Sequence, residues 1–166
     1  MATNRVEPVF KTTRLIHVPR ELVWRAWTDP AQLAQWWGPN YFSNPICEID
    51  ARAGGNYRIV MRGPDGVDYP VSGVFLEVVK PERLVMTMDV SEHPDEWHDQ
   101  LNPDRSVANP AGEMLMTVMF EADEDRTQLT IQITFENTQI RDAMLKLGME
   151  QGWSESLDRM TSLLMD

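Results

Sequence analysis

The side chains able to do acid, base or metal chemistry are few and scattered. The histidines are His17, His93 and His98. His93 and His98 lie with Asp95, Glu96 and Asp99 in one acidic stretch. A metal would take imidazole and carboxylate ligands, but an i, i+5 spacing does not put both rings on one helical face, and a solvated loop is the expected reading. His17 ends the first expected strand, and nothing marks it as a base. Cys47 is the single cysteine, so neither an internal disulfide nor a cysteine metal cluster is available. It sits in the strand-like NPICEID and reads as a small apolar residue. There is no G-x-S-x-G elbow, Walker loop or G-x-G-x-x-G. Arg58, Glu77 and Glu113 fall in expected strands. An inward acid or base there would suit a cyclase or hydrolase, and the sequence leaves their directions open. No cofactor and no metal are expected.

What the chain does offer is apolar, polarizable surface: 11 Met and 6 Trp. Methionine adapts to irregular shapes, whether it fills a core or lines a pocket. Met61, Met86, Met88, Met114 and Met116 fall in expected strands at positions that can share one sheet face, with Tyr57, Ile59 and Phe75 beside them. Met149, Gly152, Trp153, Ser156 and Met160 can face them from the terminal helix. Trp36 and Trp37 end a short helix at a Gly-Pro turn, either as packing anchors or as a plug and a stacking face for a ligand. These fifteen residues are the candidate lining of a site for a small apolar molecule. Gly148, Gly152 and Ser156, spaced by four, keep the helix surface shallow. A glycine inside a helix costs about 0.8–1 kcal/mol against alanine, so either a cavity or a close helix-to-strand approach has to offset it.

The elements that would position this lining follow from periodicity. Residues 8–17 read as a strand. RELVWRAW after Pro19 reads as a helix, with Leu22, Val23, Ala26 and Trp27 on one face. Asp29-Pro30 with Gln32 marks a capped second helix over about 30–37, stopped by Gly38-Pro39. Strands follow over 45–50, 57–62, 69–79 with Gly73 permitting a bend, and 84–88. Residues 91–112 are polar, acidic and proline-bearing, a long loop with room for one helical turn; loops of that length are usually functional or disordered. We expect it to border the cavity, with Trp97 packed on a stripe of Ile140, Met144 and Leu147; a homodimer face is the rival reading of that stripe. A hairpin over 113–122 and 127–136 precedes one continuous helix from 139 to 165. It carries the stripe Leu145, Met149, Gly152, Trp153, Ser156, Met160 and Leu164. The expected fold is α+β: a seven-stranded antiparallel meander covered by that helix, with two short helices after the first strand.

The 166 residues suit one domain, with a disordered N-terminus over about 1–7. A net charge of -11 disfavours nucleic acid and anionic membranes as partners. No apolar run could cross a membrane, and no signal peptide opens the chain, so the cytoplasm is the expected compartment.

The segments VPRELVWRAWTDPAQLAQWWGP, RAGGNYRIVMRGPDG, VFLEVVKPERLVMT and GMEQGWSESLDRM resemble the activator-of-Hsp90-ATPase-homologue-like proteins of the START-like, or helix-grip, superfamily. The resemblance runs from about residue 8 to 165. It implies a curved sheet gripping the C-terminal helix, with a cavity between them. It does not imply a reaction, because relatives include lipid carriers, hormone receptors and polyketide cyclases. Eukaryotic Hsp90 activators bind the chaperone through a separate N-terminal domain for which this sequence has no room. A chaperone partner is therefore the lesser expectation, and binding of a small hydrophobic molecule the leading one.

Overall fold

The computed structural model describes residues 7–102 and 109–165. The expected disordered start lies almost wholly outside them, as does the middle of the long loop. The elements in order are β1 (Val9–Ile16), α1 (Arg20–Thr28), α2 (Pro30–Trp36), β2 (Ser43–Ile49), β3 (Asn56–Arg62), β4 (Asp68–Val79), β5 (Arg83–Met88), α3 (Asp95–Leu101), β6 (Met114–Asp123), β7 (Arg126–Thr134), α4 (Thr138–Lys146) and α5 (Met149–Met165).

The strands form one antiparallel sheet in the order β1-β7-β6-β5-β4-β3-β2. Only β2 to β7 are the expected meander. β1 lies beside β7, with Phe10 opposite Ile133 and Ile16 opposite Thr127, and α1 and α2 carry the chain to the far edge. Alternation sets which face is buried. Tyr57 and Ile59 of β3, Val71 of β4, Leu84, Met86 and Met88 of β5, Met114, Met116, Val118 and Phe120 of β6, and Leu129, Ile131 and Ile133 of β7 are all buried. Met86 opposes Met116 and Met88 opposes Met114, so the methionines share one face as their spacing implied. Gly73 sits where an added Cβ would come within 2.0 Å of the Thr87 carbonyl oxygen. Only glycine allows β4 and β5 to approach so closely there.

The helices cover this face. Asp29 caps α2 by accepting from the Ala31 amide at 3.1 Å. In α1 the buried residues are Val23, Trp24, Ala26 and Trp27; Leu22 is 38% exposed, and Trp24 takes the inward place assigned to it. Trp24 meets Phe120 edge-on at 5.2 Å. Trp27 packs against Trp36 at 4.9 Å, Trp37 at 6.0 Å and Trp153 at 6.1 Å. Five of the six tryptophans thus form one aromatic cluster that locks α1, α2 and α5 to β6.

The terminal helix is not continuous. It stops at Lys146 and restarts at Met149, because Gly148 adopts φ +94°, a left-handed conformation that ends helices and favours glycine. The Gly148 amide donates back to Leu145 O, and Gly148 O accepts the Gly152 amide at 2.9 Å as α5 begins. Gly152 therefore lies in the first turn of α5 rather than mid-helix, where its propensity cost is smaller. No helix among the described residues is long and apolar enough to cross a membrane.

Candidate functional site

A half-open cavity of about 220 Å³ lies between the sheet and the α4–α5 break. The sheet contributes Met61, Val71, Met88, Met114 and Ile133; α4, α5 and the break between them contribute Met144, Leu147, Met149, Gly152, Trp153 and Ser156. The turn after α2 supplies Trp37, Gly38 and Pro39, and the segment after β5 supplies Val90, His93 and Trp97. Of the expected lining, Trp37, Met61, Met88, Met114, Met149, Gly152, Trp153 and Ser156 meet here. An added Cβ at Gly152 would touch only Pro39 Cγ, at 3.7 Å, so the glycine faces nearly open space.

The remaining expected residues stand elsewhere. Tyr57, Ile59, Phe75 and Met86 surround a void of only about 10 Å³ with Trp27, Leu33, Trp37 and Ile49. The Tyr57 hydroxyl donates to Thr87 O at 2.6 Å. Trp36, Met116 and Met160 are wholly buried, and the Trp36 indole N–H donates to Ala26 O at 2.9 Å. These seven residues belong to packed core away from the cavity: the aromatic cluster already fills that end of the sheet.

The two histidines of the acidic stretch overturn the expectation of a solvated loop. α3 spans seven residues, and His93 and His98 are 8% and 5% exposed. Apolar neighbours turn them inward: Trp97 packs on the His93 ring at 4.6 Å and on the His98 ring at 5.2 Å, and Leu101 is buried beside them. Tyr69 meets His93 edge-on at 5.3 Å. His93 Nδ1 lies 3.0 Å from Pro70 O, and His98 Nε2 lies 3.1 Å from Ser91 O. Burial, reinforced by His98, pushes His93 down to about 4, although the Pro70 carbonyl and Asp89 oppose the shift. Trp97 stands on the cavity wall with Met144 and Leu147, whereas Ile140 of the same stripe lines a separate depression; residues 103–108 of the same loop lie outside the described residues.

The other ionisable candidates face away. Arg58 pairs with Glu92 at 2.6 Å, Glu77 with Arg83 at 3.3 Å, and Glu113 is exposed before β6. Burial pushes the Cys47 thiol up to about 11, consistent with an unreactive side chain. His93 is the ionisable side chain on the cavity wall; no carboxylate, ammonium or guanidinium lines it among the described residues. No group of three His, Cys, Asp or Glu residues among the described residues could hold a metal.

Sequence reasoning also missed Arg159. Its guanidinium donates to the carbonyls of Gly38 at 2.8 Å, Pro39 at 2.9 Å, Gln35 and Phe42 at 3.1 Å and Trp37 at 3.3 Å. The planar five-donor fork suits such a ring of acceptors. Gly38, at φ +94°, makes the turn that gathers them. Arg159 thus fastens the Trp37–Pro39 wall of the cavity to α5. An arginine one residue before the striped Met160 is the only sequence signal, and it reads equally as a solvated side chain.

Structures of similar shape are widespread among bacterial proteins. A Nitrosomonas europaea protein superposes with TM-score 0.79 at 25% identity, over 97% of this chain and 96% of its own. An Arthrobacter aurescens protein gives 0.79 at 27% identity, over 96% and 87%. The AHSA1 protein of Silicibacter pomeroyi shares the fold with TM-score 0.73 at 23% identity, over 95% and 97%. No curated protein matches the chain significantly. The model of the family described as Activator of Hsp90 ATPase homolog 1-like protein matches residues 17–165, and with the helix-grip architecture already in place, the chain belongs to that family.

Proposed function

We propose that this protein binds a small apolar molecule in the cavity between the sheet and the α4–α5 break. One observation carries the reading: the cavity is walled by thioether, aromatic and aliphatic side chains, and Gly152 leaves it open where a larger residue would fill it. Such a lining, with a few polar groups, suits ligand binding. The outward directions of Arg58, Glu77 and Glu113 favour binding over a cyclase or hydrolase chemistry, which needs paired acid and base groups on the wall.

Gly152→Leu tests the reading. The new side chain enters free volume, so stability in a urea melt stays within about 1 kcal/mol of the parent or rises. Binding of a neutral bicyclic probe such as 2-methylnaphthalene, followed through quenching of Trp37, Trp97 and Trp153, falls at least about tenfold, an order-of-magnitude expectation for a blocked site. A stability loss of roughly 1–3 kcal/mol, the mark of overpacking, with no probe bound by either protein, would remove the proposal.

A further inference from the structure

The cavity wall carries two polar side chains besides the indoles, and both present lone pairs. Ser156 Oγ–H donates to Gly152 O at 2.9 Å, so its hydroxyl has only acceptor capacity left. The Pro70 carbonyl can only accept, so the proton of the His93 ring sits on Nδ1, and Nε2 is the acceptor of that tautomer. Burial keeps the ring neutral at ordinary pH. A hydroxyl is the smallest neutral group that can donate to such acceptors. A carboxylate is poorly served: no cationic side chain lines the cavity among the described residues, and an unpaired buried charge is costly. Size narrows the class further. A cavity of about 150 Å³ holds benzene, so about 220 Å³ suits one substituted ring or two fused rings.

We infer that the cavity selects a neutral one- or two-ring molecule bearing a hydroxyl, a phenol or cyclic alcohol, whose O–H is accepted by His93 Nε2 while its rings lie against Trp97, Trp153 and the methionines. This rests on the cavity being a binding site, as proposed above. The selectivity comes from the histidine tautomer, which β4 fixes through Pro70.

The test uses three probes of one shape at neutral pH: 2-naphthol, 2-methylnaphthalene and 2-naphthoate. His93→Asn keeps a side-chain N–H near the Nδ1 position for Pro70 O and removes the Nε2 acceptor. Titration calorimetry should show the naphthol-to-methylnaphthalene affinity ratio falling roughly three- to tenfold in this variant, the range of one net hydrogen bond. 2-Naphthoate should bind the parent most weakly. Because the variant could fail to fold, the parent gives a second measurement: with ¹⁵N-labelled histidine, the His93 Nε2 resonance should move on adding naphthol and stay in place on adding methylnaphthalene. An unmoved resonance, or an unchanged ratio in the variant, overturns the hydroxyl selectivity while leaving the binding site standing. Tightest binding by 2-naphthoate overturns the ligand class. Failure of every probe to bind the parent removes the site itself and this inference with it.

Discussion

The two ends of the space between sheet and helices share Trp37 and Trp153 but otherwise differ in their side chains, and they reach different densities. At one end Trp24, Trp27, Trp36, Trp37, Trp153 and Phe120 interlock edge to face, and the void left beside them is about 10 Å³. At the other end Met61, Met88, Met114, Met144 and Met149 surround about 220 Å³. Large rigid rings on α1, α2 and α5 fix the helices against the sheet. The break at Gly148, the missing side chain at Gly152 and the turn at Gly38 then keep the methionine end from closing. The contrast teaches that the cavity is not slack packing. Close packing is concentrated where the rings are, and the other end remains open.

The largest expected effect falls on the closed end. Trp36 is fully buried with its N–H bonded, so Trp36→Ala should cost about 3–5 kcal/mol, read from a denaturant melt. A loss below about 1 kcal/mol would mean that the aromatic cluster does not anchor the fold. Acid should act on the open end. Burial lowers the folded-state pKa of His93 to about 4, whereas an unfolded chain titrates near its ordinary value of about 6.5. The unfolded state therefore takes up the proton first. The stability due to the neutral ring is complete above about pH 6.5 and is lost as pH falls toward 4, by up to about 3 kcal/mol. The ring is faced by His98 and Asp89 and packs on Tyr69 and Trp97; His98 adds to the sensitivity and Asp89 offsets it. Stability measured from pH 7 to 4 should fall more steeply in the parent than in His93→Asn. Equal slopes would show that His93 is not the group responsible.

The two ends were also unequally legible in the sequence. Period-two alternation in β3 to β7 identified the inward methionines, and the capping residues at Asp29-Pro30 located α2, because both are local patterns. The pairing of β1 with β7 is long-range and has no local signature. Leu22 and Trp24 exchanged roles because either choice gives an amphipathic helix, and the fit of Trp24 against Phe120 decides between them. The helix break was hidden since Leu145 and Met149 continue one stripe straight through Gly148. His93 and His98 were misread because acidic residues and prolines dominate their segment, while Trp97 and Leu101, the residues that fold it inward, are a minority of it. Which methionines line space and which fill it depends on where the rings stop, and only the packed structure gives that.

Arg159 joins the two ends and gives the smallest expected effect on stability. The turn it binds carries Trp37, which packs on Trp27 and Trp153, and also Gly38 and Pro39, which wall the cavity. Arg159→Ala removes donors from five carbonyls, some of which water can reach. Discounted for that exposure, the loss should be about 1–2 kcal/mol. Arg159→Lys should recover less than half of it, because an ammonium cannot span the ring of acceptors that the planar fork meets. The informative readout is the split between stability and binding. With the turn loosened, Pro39 no longer holds its place opposite Gly152, so affinity for 2-methylnaphthalene should fall severalfold under conditions where the variant remains folded. A variant that loses stability but binds the probe unchanged would confine Arg159 to the closed end, and the turn would no longer count as the element that couples packing to the open cavity.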